Sequence, residues 1–150
     1  MSRLTDARIA LHAALATVFD DPVPLQGGGV VQFSADRVHA YPPATVAAPT
    51  VWIEQGRGGE ALIGERARGV ETTLPVAVVY DGADRAQVAG LDELVARVWD
   101  AAAQVGTPTR WEPQPLDVGG PTLRATFVDV DMRIGAGTLC GAPTLSKEVA

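Results

Sequence analysis

TTLPVAVVYDGADRAQVAGLDELVARVWDAAAQV, residues Thr72–Val105, spells out a strand, a turn and a helix in one run. Pro75-Val76-Ala77-Val78-Val79-Tyr80 is continuously apolar, the pattern of a strand covered on both faces, so a buried strand is expected over Leu74–Tyr80. Asp81-Gly82 supplies the turn. From about Ala83 to Val105, residues Val88, Leu91, Val95, Val98, Ala102 and Val105 recur in steps of three and four, and Leu94 and Trp99 widen the stripe. Such a helix is roughly 35 Å long at about 1.5 Å per residue. Asp81 or Asp84 stands at its start, where a carboxylate accepts orphan backbone N–H groups. Gly106 followed by Pro108 is a stop signal.

Upstream, Ser2–Phe19 reads as a helix that Ser2 can cap. Leu4, Ala7, Leu11, Ala14, Leu15 and Val18 fall at helical spacing, with Arg3, Asp6 and His12 elsewhere on the wheel. Asp21-Pro22 ends it, because a residue before proline leaves the α region. Val23–Pro49 promises one short strand, Val30–Phe33 or Arg37–Tyr41, and a long excursion. Gly27-Gly28-Gly29 and Pro42-Pro43 punctuate it. Pro49–Gln55 is a strand in which Val51 and Ile53 alternate with Thr50, Trp52 and Glu54. Gly56-Arg57-Gly58-Gly59 reads as a mobile turn. Ala61–Ile63 and Gly69–Leu74 then flank the charged run Glu65-Arg66-Ala67-Arg68, which predicts a long exposed hairpin or arm.

Downstream, Gly106–Gly120 carries Pro108, Pro113 and Pro115 and admits only an edge strand, through Arg110-Trp111. Thr122–Ile134 is the longest strand candidate, with a change of phase at Phe127-Val128 that predicts a bulge or bend. Gly135–Ala150 has no period and reads as a loose tail. The order helix, strands, helix, strands predicts one α+β domain over residues 1–150: a mostly antiparallel sheet of about four to five strands, two helices packed on it, and an extended arm.

Composition narrows the function classes. The 150 residues are 47% apolar and 20% charged, an ordinary globular balance. Eighteen acidic and 12 basic residues give a net charge of −6, the wrong sign for tight, sequence-independent binding to nucleic acid. The N-terminus lacks the apolar core of a signal peptide, and no run approaches the roughly 18 apolar residues that span a membrane. Cys140 is the single cysteine, so no internal disulfide forms and a cytoplasmic place of assembly is expected.

No motif carries catalysis. The Asp81-Gly82 turn sits where a phosphate loop would, but it has one glycine, no lysine, and acids that repel phosphate. His12 and His39 lack metal-ligand spacing with each other or with Cys140. Asp129 and Asp131 share one strand face, a pairing that suits acid–base work or a divalent cation. A polar outer face over apolar Val128, Val130 and Met132 explains the same pattern without a site. Cys140 lacks a base, and no serine has a nucleophile-elbow context. The expectation is therefore a protein with no catalytic residue, no cofactor and no metal.

Surface candidates are of another kind. Trp99 extends the helix stripe and belongs to the core. Trp52 and Trp111 are the exposed-tryptophan candidates, each marking a contact surface or capping a core edge. The arm Gly56–Gly69 carries Arg57, Glu60, Glu65, Arg66 and Arg68. Two readings stay open for it: a solvated loop, or a subunit contact in which mixed charges fix register.

The segment order resembles a known family. An N-terminal helix, the APTVWIEQG strand with its arm, LPVAVVYDGADRAQVAGLDELVARVWDAA and the closing RATFVDVDMRI strand are similar to the tail terminator proteins of long-tailed bacteriophages. These are also called minor tail or tail-completion proteins, and the chain is most similar to the actinobacterial phage type. The resemblance covers most of residues 3–134 and rests on segment order rather than on an invariant motif. It implies a virion structural protein that closes into a ring, typically a homo-hexamer. The ring caps the head-proximal end of the tail tube, ends polymerisation and joins the tail to the head connector. Its implied partners are a second copy of itself, the tail tube protein and the connector or stopper, with DNA passing through the lumen without specific binding. An acidic lumen would suit that passage. A head–tail connector, stopper or neck protein is the nearest alternative. A small α+β ligand-binding domain or enzyme using Asp81, Asp129 and Asp131 is the alternative of a different class.

Overall fold

The computed structural model describes residues 3–19, 23–24, 30–31, 37–62, 68–116 and 120–134. Its elements in chain order are α1 (Arg3–Val18), β1 (Val23–Pro24), β2 (Val30–Val31), β3 (Val38–His39), β4 (Thr50–Ile53), β5 (Arg57–Leu62), β6 (Arg68–Asp81), α2 (Arg85–Val105), β7 (Thr107–Gln114) and β8 (Leu123–Ile134). The fold is α+β, as the order of patterns predicts. The apolar run becomes β6, the central strand, and every residue from Leu74 to Val79 is buried.

β8 pairs antiparallel with β6 along nearly its whole length, from Val70 opposite Ile134 to Asp81 opposite Leu123. The register is unbroken, so the bulge expected at Phe127-Val128 is absent from β8. The apparent phase change has another cause: both sheet faces are apolar there. Val128, Val130 and Met132 face the helices, while Ala125 and Phe127 belong to a second cluster on the far side. The irregularity lies instead in β7, between Pro108 and Arg110.

The main sheet runs β3-β4-β6-β8-β7, and all its pairings are antiparallel except β3 with β4. β4 and β5 share the remaining edge of β6. β4 pairs with Val76–Val79 and β5 with Arg68–Thr73. The Gly56–Gly59 turn expected from its glycines is therefore mostly strand: Arg57, Gly58 and Gly59 pair with Thr73, Thr72 and Glu71. Pro75 is tolerated mid-sheet because it lies at the handover from β4 to β5. It has no N–H to offer, and its carbonyl accepts from the Glu54 N–H at 2.7 Å. Gly56 lies in a close approach at the same handover: a Cβ there would stand 2.7 Å from Leu74 Cδ2 and 3.0 Å from Thr72 Oγ1, so those side chains would have to shift.

The main core forms where both helices meet one face of the sheet. Ala7, Leu11, Ala14, Leu15 and Phe19 come from α1 or its end, and Leu94, Val98, Ala101 and Ala102 from α2. They meet Val51, Ile53, Val76, Val78, Val128, Val130 and Met132 of the sheet. Two stripe assignments shift. Leu4 and Val88 are exposed, and the α2 stripe centres on Gly90, Leu94 and Val98, with Val95 at its margin. The first turn of each helix extends past the packed region, which leaves an apolar residue uncovered there.

Trp52 is the largest correction. It is 1% exposed, because all four β4 residues are buried. Its ring packs with Ala77, Val79 and Ala125 on the face away from the helices, where Val46, Leu116 and Phe127 complete the cluster. Its indole N–H donates to Glu54 Oε1 at 2.7 Å, so the polar edge of the ring is satisfied. The tail over residues 135–150 lies outside the described residues, as do Ser2 and the Asp21-Pro22 stop.

Candidate functional site

The β6–α2 junction holds the acids at the phosphate-loop position. Asp84 is the helix N-cap, and its carboxylate accepts from the Ala86 and Gln87 N–H groups. Asp81 Oδ1 accepts from the Ala83 N–H at 2.9 Å, while the Asp81 N–H donates to Gln87 Oε1 at 2.7 Å. The Gly82 N–H donates to the Thr122 carbonyl at 2.8 Å. Hydrogen bonding from the Ala83 N–H, then from the Thr122 side chain, holds the Asp81 carboxyl below its ordinary value. The donors that would face a phosphate are thus turned onto the chain's own carboxylates and carbonyls. Asp81 and Asp84 both serve the turn.

Asp129 and Asp131 do share a face, the one away from the helices, and each has a local partner. Asp129 Oδ2 accepts from Arg110 Nε at 2.9 Å, and Asp131 Oδ1 accepts from the Thr73 hydroxyl at 2.7 Å. Arg133 lies 3.8 Å from Glu71, and Arg110 3.5 Å from Glu112. Arg110 is held above its ordinary value, first by the hydrogen bond to Asp129 and then by the charge of Glu112. This polar ladder ties β6, β7 and β8 together. Among the described residues no group of three or more His, Cys, Asp and Glu converges as a metal cluster would. His12 Nε2 lies 3.0 Å from the Val38 carbonyl, a bond that joins α1 to β3.

Sequence reading missed Arg8. It is 8% exposed, and its guanidinium donates to three carbonyls: Ala40 at 2.7 Å, and Ile53 and Glu54 at 2.8 Å each. The exposed ring of Tyr41 covers it at 4.5 Å. Burial lowers its pKa, which the charges of Tyr41 and Glu54 partly counter. The signal was present in the sequence. Arg8 occupies the Leu4, Arg8, Leu11, Leu15 stripe, at a position that the helix period assigns to an apolar side chain. It pins α1 to the exit of β4.

The surface candidates fall on opposite sides of the sheet. Arg57 and Glu60 lie on β5, and Arg68 opens β6, opposite Leu62. Glu65 and Arg66 lie outside the described residues. β8 ends its pairing at Val70, so the β5–β6 hairpin continues past it at Gly69 and Arg68. Trp111 is on β7, at the other lateral edge. It is 59% exposed and meets Trp99 of α2 edge to face, with centroids 5.5 Å apart at 88°. Beside this pair, between α2 and β7, lies a groove of 480 Å³ lined by Asp92, Val95, Ala96, Trp99, Asp100 and Trp111. Pro108 and Pro113 take two backbone donors off β7, which discourages a further strand from adding there.

No described helix is long and apolar enough to cross a membrane. Compared by sequence, the chain matches no family profile and no curated protein. Compared by structure, it is similar to a chain of the virion of a native gene transfer agent particle. The match has a TM-score of 0.51 at 17% identity and covers 87% of this chain and 94% of that one. At this identity the likeness establishes a shared fold.

Proposed function

We propose that this chain is a structural protein of a phage-like virion, and within that class a tail terminator. In this reading copies close into a ring, typically a hexamer. The ring caps the head-proximal end of the tail tube, stops its growth and presents a surface to the head connector. The chain performs no catalysis. The observation that carries the reading is the fold shared with a gene transfer agent virion chain across nearly the full length of both.

Three features of the chain support it. A closed ring needs two different faces of one subunit to meet, and the β5–β6 hairpin and Trp111 stand at opposite lateral edges of one sheet. Asp81 is bonded within a turn, and Asp129 and Asp131 within a polar ladder. The net charge of −6 suits a lumen through which DNA slides without being held.

Native mass spectrometry followed by negative-stain imaging tests the reading, with the protein alone and with tail tubes present. Rings, or rings that form on tubes, are the expected result. A strict monomer under both conditions would overturn it. Particles lacking the protein separate the finer roles: overlong tails are expected for a terminator, whereas normal tails unjoined to heads would reassign the chain as a connector or stopper.

A further inference from the structure

We infer that the groove between α2 and β7 is the socket for the arginine-bearing β5–β6 hairpin of a second copy of this chain. The inference rests on the ring reading above and names the contact that would build it.

The groove has the chemistry to hold a guanidinium. Asp92, Ala96 and Asp100 follow one another at i, i+4 and i+8, so they form one row along α2. Ala96 is the small residue that leaves space between the two acids. Val95 and Trp99 form the next row, and Trp111 of β7 closes the far wall. Two carboxylates and two tryptophans lining one groove suit an arginine, whose planar cation stacks on an aromatic ring and donates to carboxylates at once. Asp92 and Asp100 are exposed and make no ion pair among the described residues. Trp111 is also among the large apolar side chains the fold leaves most open to water.

The occupant follows from charge and placement. Residues 57–68 carry Arg57, Arg66 and Arg68 against Glu60 and Glu65, one net positive charge in a chain whose total is −6. β5 pairs on the side of β6 that β8 does not use, whereas β7 lies beyond β8. Hairpin and groove are therefore at opposite edges of the same sheet. A contact between them joins unlike faces of successive copies, the heterologous geometry from which rings are made. The prolines of β7 direct this edge to side-chain contact rather than strand addition.

Two charge-reversed forms of the full chain test the contact. One carries Asp92→Arg and Asp100→Arg; the other carries Arg57→Glu, Arg66→Glu and Arg68→Glu. Each alone sets like charge against like at every junction, and its self-association should weaken by at least about tenfold. Mixed in equal amounts, the two should regain assembly, because an alternating ring restores opposite charge at every junction. Native mass spectrometry should then find equal numbers of each form. Recovery on mixing also shows that both variants are folded. If the wild-type chain forms rings and either variant does so equally well alone, the socket is wrong and the ring reading stands. If mixing fails to restore assembly, the pairing of hairpin with groove is overturned. A variant that assembles normally but fails to bind tail tubes would mean that the groove serves another virion protein. If the wild-type chain never assembles, even on tubes, the ring reading falls and this contact falls with it.

Discussion

Arg8 and Asp81 show how single charged residues hold this chain together. Arg8 fills an apolar position in α1 and survives there because three carbonyls and the Tyr41 ring receive its charge. Arg8→Met keeps the bulk and removes the donors, so the carbonyls of Ile53 and Glu54 lose their partner. Urea denaturation should show a loss of about 1–3 kcal/mol. Asp81 acts through pH. Its folded pKa lies below the ordinary 3.8, so its contribution is complete above that value and disappears as pH falls through the folded one. Asp81→Asn should be less stable than wild type at neutral pH, and the two urea midpoints should converge on titration to about pH 2. A constant gap across that titration would remove the charge from the account.

At the scale of elements, close approach decides which residues are allowed. α2 ends at Gly106, whose N–H donates to the Ala102 carbonyl at 2.8 Å. Its φ of −157° is extended and open to any residue. The constraint is space: a Cβ would lie 2.8 Å from the Asp131 carbonyl oxygen and 3.1 Å from Met132 Cγ. That oxygen belongs to the backbone of a paired strand and cannot turn aside, so Gly106→Ala should cost about 1–3 kcal/mol by chemical denaturation. The tryptophans divide in the same way. Trp52→Ala empties the second core and should cost about 3–5 kcal/mol. Trp111→Ala loses an edge-to-face contact worth about 0.5–1.5 kcal/mol, and on the ring reading its main effect is on assembly. Thermal melts of the two variants beside their oligomer distributions would show whether stability and assembly separate in this manner.

For the whole molecule, the sheet is the frame that keeps hairpin and groove apart. β6 and β8 pair over twelve residues in continuous register, and both helices pack on one face. The other face carries a small core around Trp52 and a polar ladder beside it. An assembly held by guanidinium–carboxylate contacts should loosen as salt rises, since the screening length falls from about 10 Å at 0.1 M to about 3 Å at 1 M. On the ring reading, sedimentation of the assembly across that range should show dissociation. Indifference to salt would point to an apolar interface instead.

The sequence by itself determined the α+β class and the strand–turn–helix over residues 72–105, because period and turn chemistry are local properties. The capped turn at Asp81–Asp84 was legible for the same reason: its donors and acceptors lie within a few residues of one another. Tertiary structure alone decided that Trp52 is buried, that Arg8 bridges α1 to β4, that Asp129 answers Arg110, and that Trp111 and Trp99 line one groove. Each depends on residues distant in sequence that only sheet order brings together. The same reason explains the bulge expected in β8: an apolar residue on either face of a strand looks like a slip in phase until a second core appears on the far side.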